Sequence, residues 1–220
     1  LVLVALLAAP GSGQASEASI EIVRTPAPPT IDGRLDDPVW ADAAVIGNFQ
    51  QAEPVPGAAP SQKTEVRLLY DSDFIYIGVR AFDTQPDEIV AKQMMFDRSM
   101  RSDDRINLVF DTFRDRRNGY FFQLNPLGTR GDALLENNTR FRGEWNGIWY
   151  GESTIDDLGW VAEFAIPFET LTFDPRKDAW GFNAQRRIRR TNEDLSLIHI
   201  SEPTRRTPIA EAGFGMKKKT

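Results

Sequence analysis

Between Thr64 and Tyr70 the chain alternates, with Val66, Leu68 and Tyr70 on one parity and Glu65 and Arg67 on the other. Successive side chains of a strand point to opposite faces, so this pattern predicts a strand with one buried face. Residues 74–82 are apolar on both parities, as expected for a central strand covered on both sides. Asp71-Ser72-Asp73 between the two runs supplies turn chemistry for a hairpin. Further strands are predicted over residues 19–24, 105–113, 120–125, 133–137, 148–155, 159–167 and 180–190, with Asn118-Gly119 and Asp156-Asp157-Leu158-Gly159 as turns. Short strands at regular spacing predict an all-β chain, an antiparallel β-sandwich of immunoglobulin-like or jelly-roll-like form.

One passage breaks the strand pattern. Thr25-Pro26-Ala27-Pro28-Pro29-Thr30 is too rich in proline for a helix or a central strand. After it, Asp36 as N-cap, Pro38 in the first turn and Leu35 placed to staple against Trp40 predict a short helix over residues 36–44.

Composition supports a single packed core: 41% hydrophobic and 26% charged is ordinary globular usage, and 14 Phe and five Trp supply bulk. The chain has no cysteine, so that core must hold the fold without disulfides. Leu1 to Ala9 is an uninterrupted apolar run followed by small residues, which reads as the remnant of a secretory leader over residues 1–18. Residues 195–220, opening Leu195-Ser196-Leu197-Ile198-His199-Ile200-Ser201-Glu202-Pro203-Thr204-Arg205, read like a translated sequencing adaptor, so the native domain is expected over residues 19–194. Without that tail, which carries five basic and two acidic residues, the net charge of −6 becomes −9, and nucleic acid is not an expected partner. The tail also holds His199, the single histidine, so residues 19–194 contain neither His nor Cys, which excludes most nucleophilic triads and zinc sites.

The stretch Ile31-Asp32-Gly33-Arg34-Leu35-Asp36-Asp37-Pro38-Val39-Trp40 resembles the opening signature of family 9 carbohydrate-binding modules. Asp104-Arg105-Ile106-Asn107-Leu108-Val109-Phe110-Asp111, Gly159 to Pro167 and Trp180-Gly181-Phe182-Asn183 are similar to later strands of that family. Asp111-Thr112-Phe113, Arg117-Asn118-Gly119-Tyr120 and Asn125 to Arg130 resemble the subgroup placed ahead of an outer-membrane β-barrel. The resemblance implies non-catalytic binding of a carbohydrate, such as xylan, cellulose or another glycan, within a larger exported protein of carbohydrate catabolism. It also implies a downstream barrel as partner and a place in the periplasm, outer membrane or cell surface of a Gram-negative-type bacterium. It puts an aromatic platform at Arg101, a ligand-bonding acid at Asn107 and a ligand-bonding arginine at Gln123, followed by Asn125; here two of these positions carry amides without charge.

A sugar site wants aromatic faces against pyranose C–H groups and polar groups for the hydroxyls. Trp145 and Trp149 are the aromatic candidates, each weighed against core packing, while Trp40, Trp160 and Trp180 sit in apolar patterns that predict core. Arg98 and Arg101 belong to a polar loop with Asp103 and Asp104, either a ligand contact or a solvated loop. No cofactor is required by these residues; calcium is the one cation considered, with Asp103, Asp104 and Asp111 as oxygen donors. Arg114, Arg116 and Arg117 at a hairpin turn, and Arg186, Arg187, Arg189 and Arg190 at a strand end, read as exposed charged edges, with docking on a barrel or on anionic lipid as the alternative. Two other functions stay open: a sugar-silent structural or gating domain of a barrel protein, and part of a glycoside hydrolase.

Overall fold

The alternation becomes two packed sheets in a computed structural model that describes residues 2–7, 16–177, 179–197 and 214–217. In chain order the strands are β1 (Val2–Leu7), β2 (Ser16–Glu21), β3 (Val23–Arg24), β4 (Ala44–Ile46), β5 (Gln50–Glu53), β6 (Thr64–Tyr70), β7 (Phe74–Phe82) and β8 (Arg105–Asp111). There follow β9 (Gly119–Leu124), β10 (Arg130–Glu136), β11 (Arg140–Arg142), β12 (Tyr150–Asp156), β13 (Gly159–Pro167), β14 (Ala179–Ile188), β15 (Glu193–Ser196) and β16 (Phe214–Lys217). One sheet has seven strands in the order β11-β10-β9-β8-β14-β15-β5. The other has six, β12-β13-β7-β6-β3 with β4 also on β6, and β16-β1-β2 form a small third sheet. Among the described residues every pairing is antiparallel except β3 with β6.

Period two decides what the core contains. Val66, Leu68, Ile75, Ile77, Val79, Trp160, Phe164 and Ile166 from the six-stranded sheet meet Ile106, Leu108, Phe110, Phe122, Leu124, Phe182 and Ala184 from the seven-stranded one. The double apolar parity of β7 has the predicted cause, a cover on its other side. There Trp40, Leu69, Tyr76 and Ala165 form a second cluster with Leu35 packed against it. Gly78 makes room for that cover, since a Cβ there would lie 2.4 Å from Leu35 Cδ2 and 3.2 Å from the Trp40 ring.

The passage expected as a helix over residues 36–44 is a single 3-10 turn, Pro38–Asp42, and its N-cap is Asp37, not Asp36. Asp37 does not cap with its side chain but accepts the Thr30 N–H at 2.7 Å, and the chain beyond the turn is captured by β6 as β4. What anchors the segment is Glu163 of β13, which is fully buried. Its Oε2 accepts the N–H groups of Asp32 (3.0 Å), Gly33 (2.8 Å) and Arg34 (3.1 Å), and its Oε1 accepts Trp40 Nε1–H at 3.1 Å. Gly33 adopts φ +81° so that three successive N–H groups can converge, and a Cβ there would lie 2.7 Å from Thr154 Oγ1. The Ile31 to Trp40 signature is thus a structural latch. Burial pushes Glu163 up to about 7, against the downward pull of its four donors.

The arginines expected as one exposed edge divide. Arg186 is fully buried and bridges the two sheets, donating to the carbonyl oxygens of Lys63 (3.0 Å) and Phe82 (2.8 Å) and to Thr64 Oγ1 (3.2 Å). Arg190 forms a two-pronged pair with buried Asp83 at 2.8 and 2.6 Å, and Arg187 pairs with Asp194. A guanidinium at this depth is worth its desolvation only where carbonyls and a carboxylate surround it, which is the arrangement found.

β15 is a strand that the hydrophobic pattern did not mark. Leu195 and Leu197 are buried in the core at 0% and 7% exposure, so the packed unit runs past the expected boundary at residue 194. Residues 8–15 of the expected leader zone and 198–213 of the expected tail, His199 among them, lie outside the described residues.

Two outcomes test these anchors. Because the folded pKa of Glu163 is raised, its contribution to stability is full below the unfolded value near 4.5 and is lost as pH rises through about 7. The urea midpoint should therefore fall between pH 5 and 8, by on the order of 1–3 kcal/mol, and Glu163→Gln should flatten that fall. Arg186→Ala should cost about 3–5 kcal/mol in the same measurement because the carbonyls of Lys63 and Phe82 lose their shared donor and a cavity opens between the sheets, whereas Arg187→Ala should cost about 1 kcal/mol or less.

Candidate functional site

Core packing uses one face of the seven-stranded sheet and leaves the other free for chemistry. On β8, Ile106, Leu108 and Phe110 point inward, so Arg105, Asn107, Val109 and Asp111 line the outer face. Register places Gln185 of β14, Asn107 of β8, Gln123 of β9 and Gly131 of β10 in one row across four strands. Gln123 Nε2 donates to Asn107 Oδ1 at 2.7 Å, and Asn107 Nδ2 donates to Gln185 Oε1 at 3.5 Å. The result is a ladder of amides, each able both to donate and to accept.

The rows on either side differ in kind. Two residues along, Arg105 and Arg187 are paired in register, with Asp194 and Glu53 across the next two strands. Burial lowers the pKa of Arg105, while the Asp194 carboxylate works the other way. On the opposite side of the ladder lie Val109, Phe121, Ala133 and Leu135, a small apolar cluster, with Phe141 edge-on to Phe121 at 5.1 Å. Phe141 is 47% exposed, so the face grades from charge through amides to an accessible aromatic ring.

The loop before β8 closes one border. Burial alone would raise the Asp103 carboxyl, but the N–H groups of Gln93 (2.8 Å) and Lys92 (3.0 Å), the Asn125 amide (3.0 Å) and the Ser102 hydroxyl (3.0 Å) hold it below the usual range. Met100, buried, approaches Gly131 at the end of the amide row, while Arg98 and Arg101 stay exposed.

Of the residues expected at a sugar site, the structure brings Asn107 and Gln123 together. Asn125 does not join them: it is fully buried, accepts the N–H groups of Leu127 and Thr129 and donates to the Gln93 carbonyl, so its bonds are spent on holding loops. Trp149 is core, 5% exposed and stacked on Phe164 at 5.7 Å, with Nε1–H donated to Asp132 at 2.8 Å. Trp145 is half-buried against Tyr120 and Phe122, on the inner side of β9, and presents no platform to the amide row. The three aspartates considered for calcium are not gathered. Asp103 ties the loop at the start of β8, Asp104 accepts the Arg189 N–H there at 2.6 Å, and Asp111 at the far end of the strand accepts N–H groups of the next turn. Among the described residues no group of three or more His, Cys, Asp or Glu is placed to hold a metal. Sequence reasoning missed Gln185 and Phe141; the signal for Gln185 was a polar residue between the inward Ala184 and Arg186 positions of an apolar strand.

A larger groove of about 890 Å³ runs over the outside of the six-stranded sheet. Within it Arg80 pairs with Asp156 at 2.6 and 2.9 Å and Arg67 with Glu65 at 3.5 Å.

A family described as carbohydrate family 9 binding domain-like matches residues 31–215. A family 9 carbohydrate-binding module from Caldicellulosiruptor kristjanssonii in complex with glucose aligns over 91% of this chain and 95% of its own, with a TM-score of 0.61 and 15% identity. The module from the same organism in complex with cellotriose aligns over 90% and 93%, with a TM-score of 0.59 and 15% identity. A protein of Bacteroides uniformis aligns over 91% and 98%, with a TM-score of 0.68 and 13% identity. At such identities the likeness is one of fold. A search of curated proteins finds no match.

Asn125→Ala would strand two backbone N–H groups and remove one of three donors from the buried Asp103 Oδ2. A loss of about 1–3 kcal/mol in thermal unfolding is expected, with faster proteolysis of residues 92–103 and no direct effect on the amide ladder.

Proposed function

The chain belongs to the carbohydrate family 9 binding domain-like family, and on that premise we propose that it captures a glycan on the outer face of its seven-stranded sheet. The family is one of binding domains, and this domain is not an enzyme. The observation that carries the proposal is the amide row Gln185, Asn107 and Gln123, bordered by paired charges on one side and by Phe141 on the other. Amides matched in register supply donors and acceptors in fixed directions, as sugar hydroxyls require, and the aromatic ring offers a surface for C–H groups. The glucose and cellotriose held by the structurally similar modules favour a neutral plant-type glucan or xylan as ligand.

The setting we infer is a larger exported protein of carbohydrate catabolism with a barrel downstream. Its support is the apolar leader-like run at Leu1 to Ala9, the absence of cysteine and the motifs from Asp111 to Arg130. One observation favours a second reading, a sugar-silent structural domain. Arg101 stands where the family's platform falls, and neither Trp145 nor Trp149 replaces it.

Titration of the chain with cellohexaose, xylohexaose and soluble xylan, followed calorimetrically, separates the two. Binding that drops about tenfold or more in the Asn107→Ala, Gln123→Ala double variant, a loss of about 1.4 kcal/mol per factor of ten, is the expected outcome. Complete indifference of the wild-type protein to all three would leave the sugar-silent reading standing.

A further inference from the structure

Where the Arg130–Asp132 end of β10, beyond its pairing with β11, comes near the edge strand β12, a second concavity of about 340 Å³ opens that the amide ladder does not share. That size falls in the range of small-molecule sites, about 300–1,000 Å³. Its floor is Arg130, whose guanidinium lies between two rings, 4.9 Å from the centroid of Phe96 and 5.6 Å from that of Trp149. One N–H of Arg130 is committed to the Trp149 carbonyl at 2.7 Å. Contact with the two rings holds the guanidinium without using its other N–H groups.

Beside it, Asp132 Oδ2 accepts the Trp149 indole N–H at 2.8 Å, whereas Oδ1 has only a long contact of 3.4 Å from the Gly147 N–H. Asn146 and Asp97 complete the polar lining. The rim is apolar and open: Phe96 is 58% exposed, Tyr150 53% and Ile148 71%. Large exposed aromatic rings next to a half-satisfied carboxylate and an oriented guanidinium are an expensive arrangement to leave in water, and they match what a pyranose presents, C–H faces and ring-edge hydroxyls.

We propose that this cleft is a second saccharide subsite, taking one neutral pyranose of a glycan with Phe96 and Tyr150 against its faces and Arg130, Asp132 and Asn146 on its hydroxyls. The sugar is neutral because Asp97 and Asp132 outnumber Arg130, so an anionic uronate would meet net repulsion. The proposal rests on the reading of the chain as a glycan binder but not on the amide ladder, which lies on the opposite face of the β9 and β10 pair.

The test is chemical-shift mapping of the ¹⁵N-labelled full chain with cellohexaose and xylohexaose. The backbone N–H groups of residues 146–150 report on the cleft, and those of Asn107 and Gln123 on the ladder. Expected are shifts at both places, with those of the cleft surviving the Asn107→Ala, Gln123→Ala variant and weakening at least tenfold in affinity in a Phe96→Ala, Tyr150→Ala variant. Both rings of the latter are exposed, so its urea midpoint should match the wild type and serve as the control for folding. Shifts at the ladder with none at residues 146–150 would overturn the subsite and leave the proposed function intact. Shifts at residues 146–150 with a silent ladder would support the subsite and overturn the ladder as the glycan site. Silence at both places with both sugars would overturn the two together.

Discussion

The fold depends on a carboxylate held in the interior. Glu163 sits in the middle of β13, where an aliphatic residue would serve packing better, and gathers three backbone N–H groups and an indole N–H from a segment that has no regular structure of its own. Without that acceptor, Asp32 and Gly33 would each carry a buried or half-buried donor with no partner, Arg34 would keep only its bond to Asp32 Oδ1, and Trp40 would lose the bond that sets its ring over Gly78. The segment from Ile31 to Trp40 becomes a cover for the six-stranded sheet because four hydrogen bonds converge on one side chain. Arg186 does comparable work between the sheets, so in a chain without disulfides two ionisable groups serve as cross-links.

With the inward parity of every central strand committed to the core, the outward parity of the seven-stranded sheet is what remains for recognition. Hydrogen-bond register turns residues distant in sequence, 107, 123 and 185, into neighbours, and the same register separates charged, amide and aromatic rows at about 7 Å steps along each strand. Specificity on such a face is a matter of which side chain occupies each row. The departures from the family pattern at Asn107 and Gln123 therefore change the hydrogen bonds offered without disturbing a core contact.

Much of the architecture was legible because period-two alternation is local. β6, β7, β13 and β14 fall where the apolar positions put them, and the double parity of β7 foretold its second cover. The short pieces were not legible. β4, β5, β11 and β15 are three or four residues each and exist because a neighbouring strand offers them partners, which no local pattern records. The helix over residues 36–44 shrinks to the turn Pro38–Asp42, since β6 takes up the chain as β4 from Ala44 and leaves no room for further turns. The site was half legible. Asn107 and Gln123 could be placed by resemblance, but Asn125 and Trp149 are polar or aromatic residues whose type fits a ligand and whose bonds are used inside the protein. Arg186 shows the converse, a charge whose burial sequence gave no cause to expect.

The loop between β7 and β8 is tied to the sheet at its root and along its length, where the Asp97 N–H meets the Arg130 carbonyl at 3.1 Å and the Gln93 carbonyl accepts Asn125 and Thr129. Asp103 and the Asp104 N–H, bonded to the Val90 carbonyl at 2.7 Å, close its root, while Met94, Met95, Phe96 and Arg98 project from it. The exposed side chains of Met94, Met95 and Arg98 can be exchanged at little cost to folding, so this border of the proposed binding surface is free to diversify while the sheets beneath stay the same. In evolutionary terms, selection can reshape that border without taxing the core, whereas the amide row shares its strands with core residues and is bound to their fate.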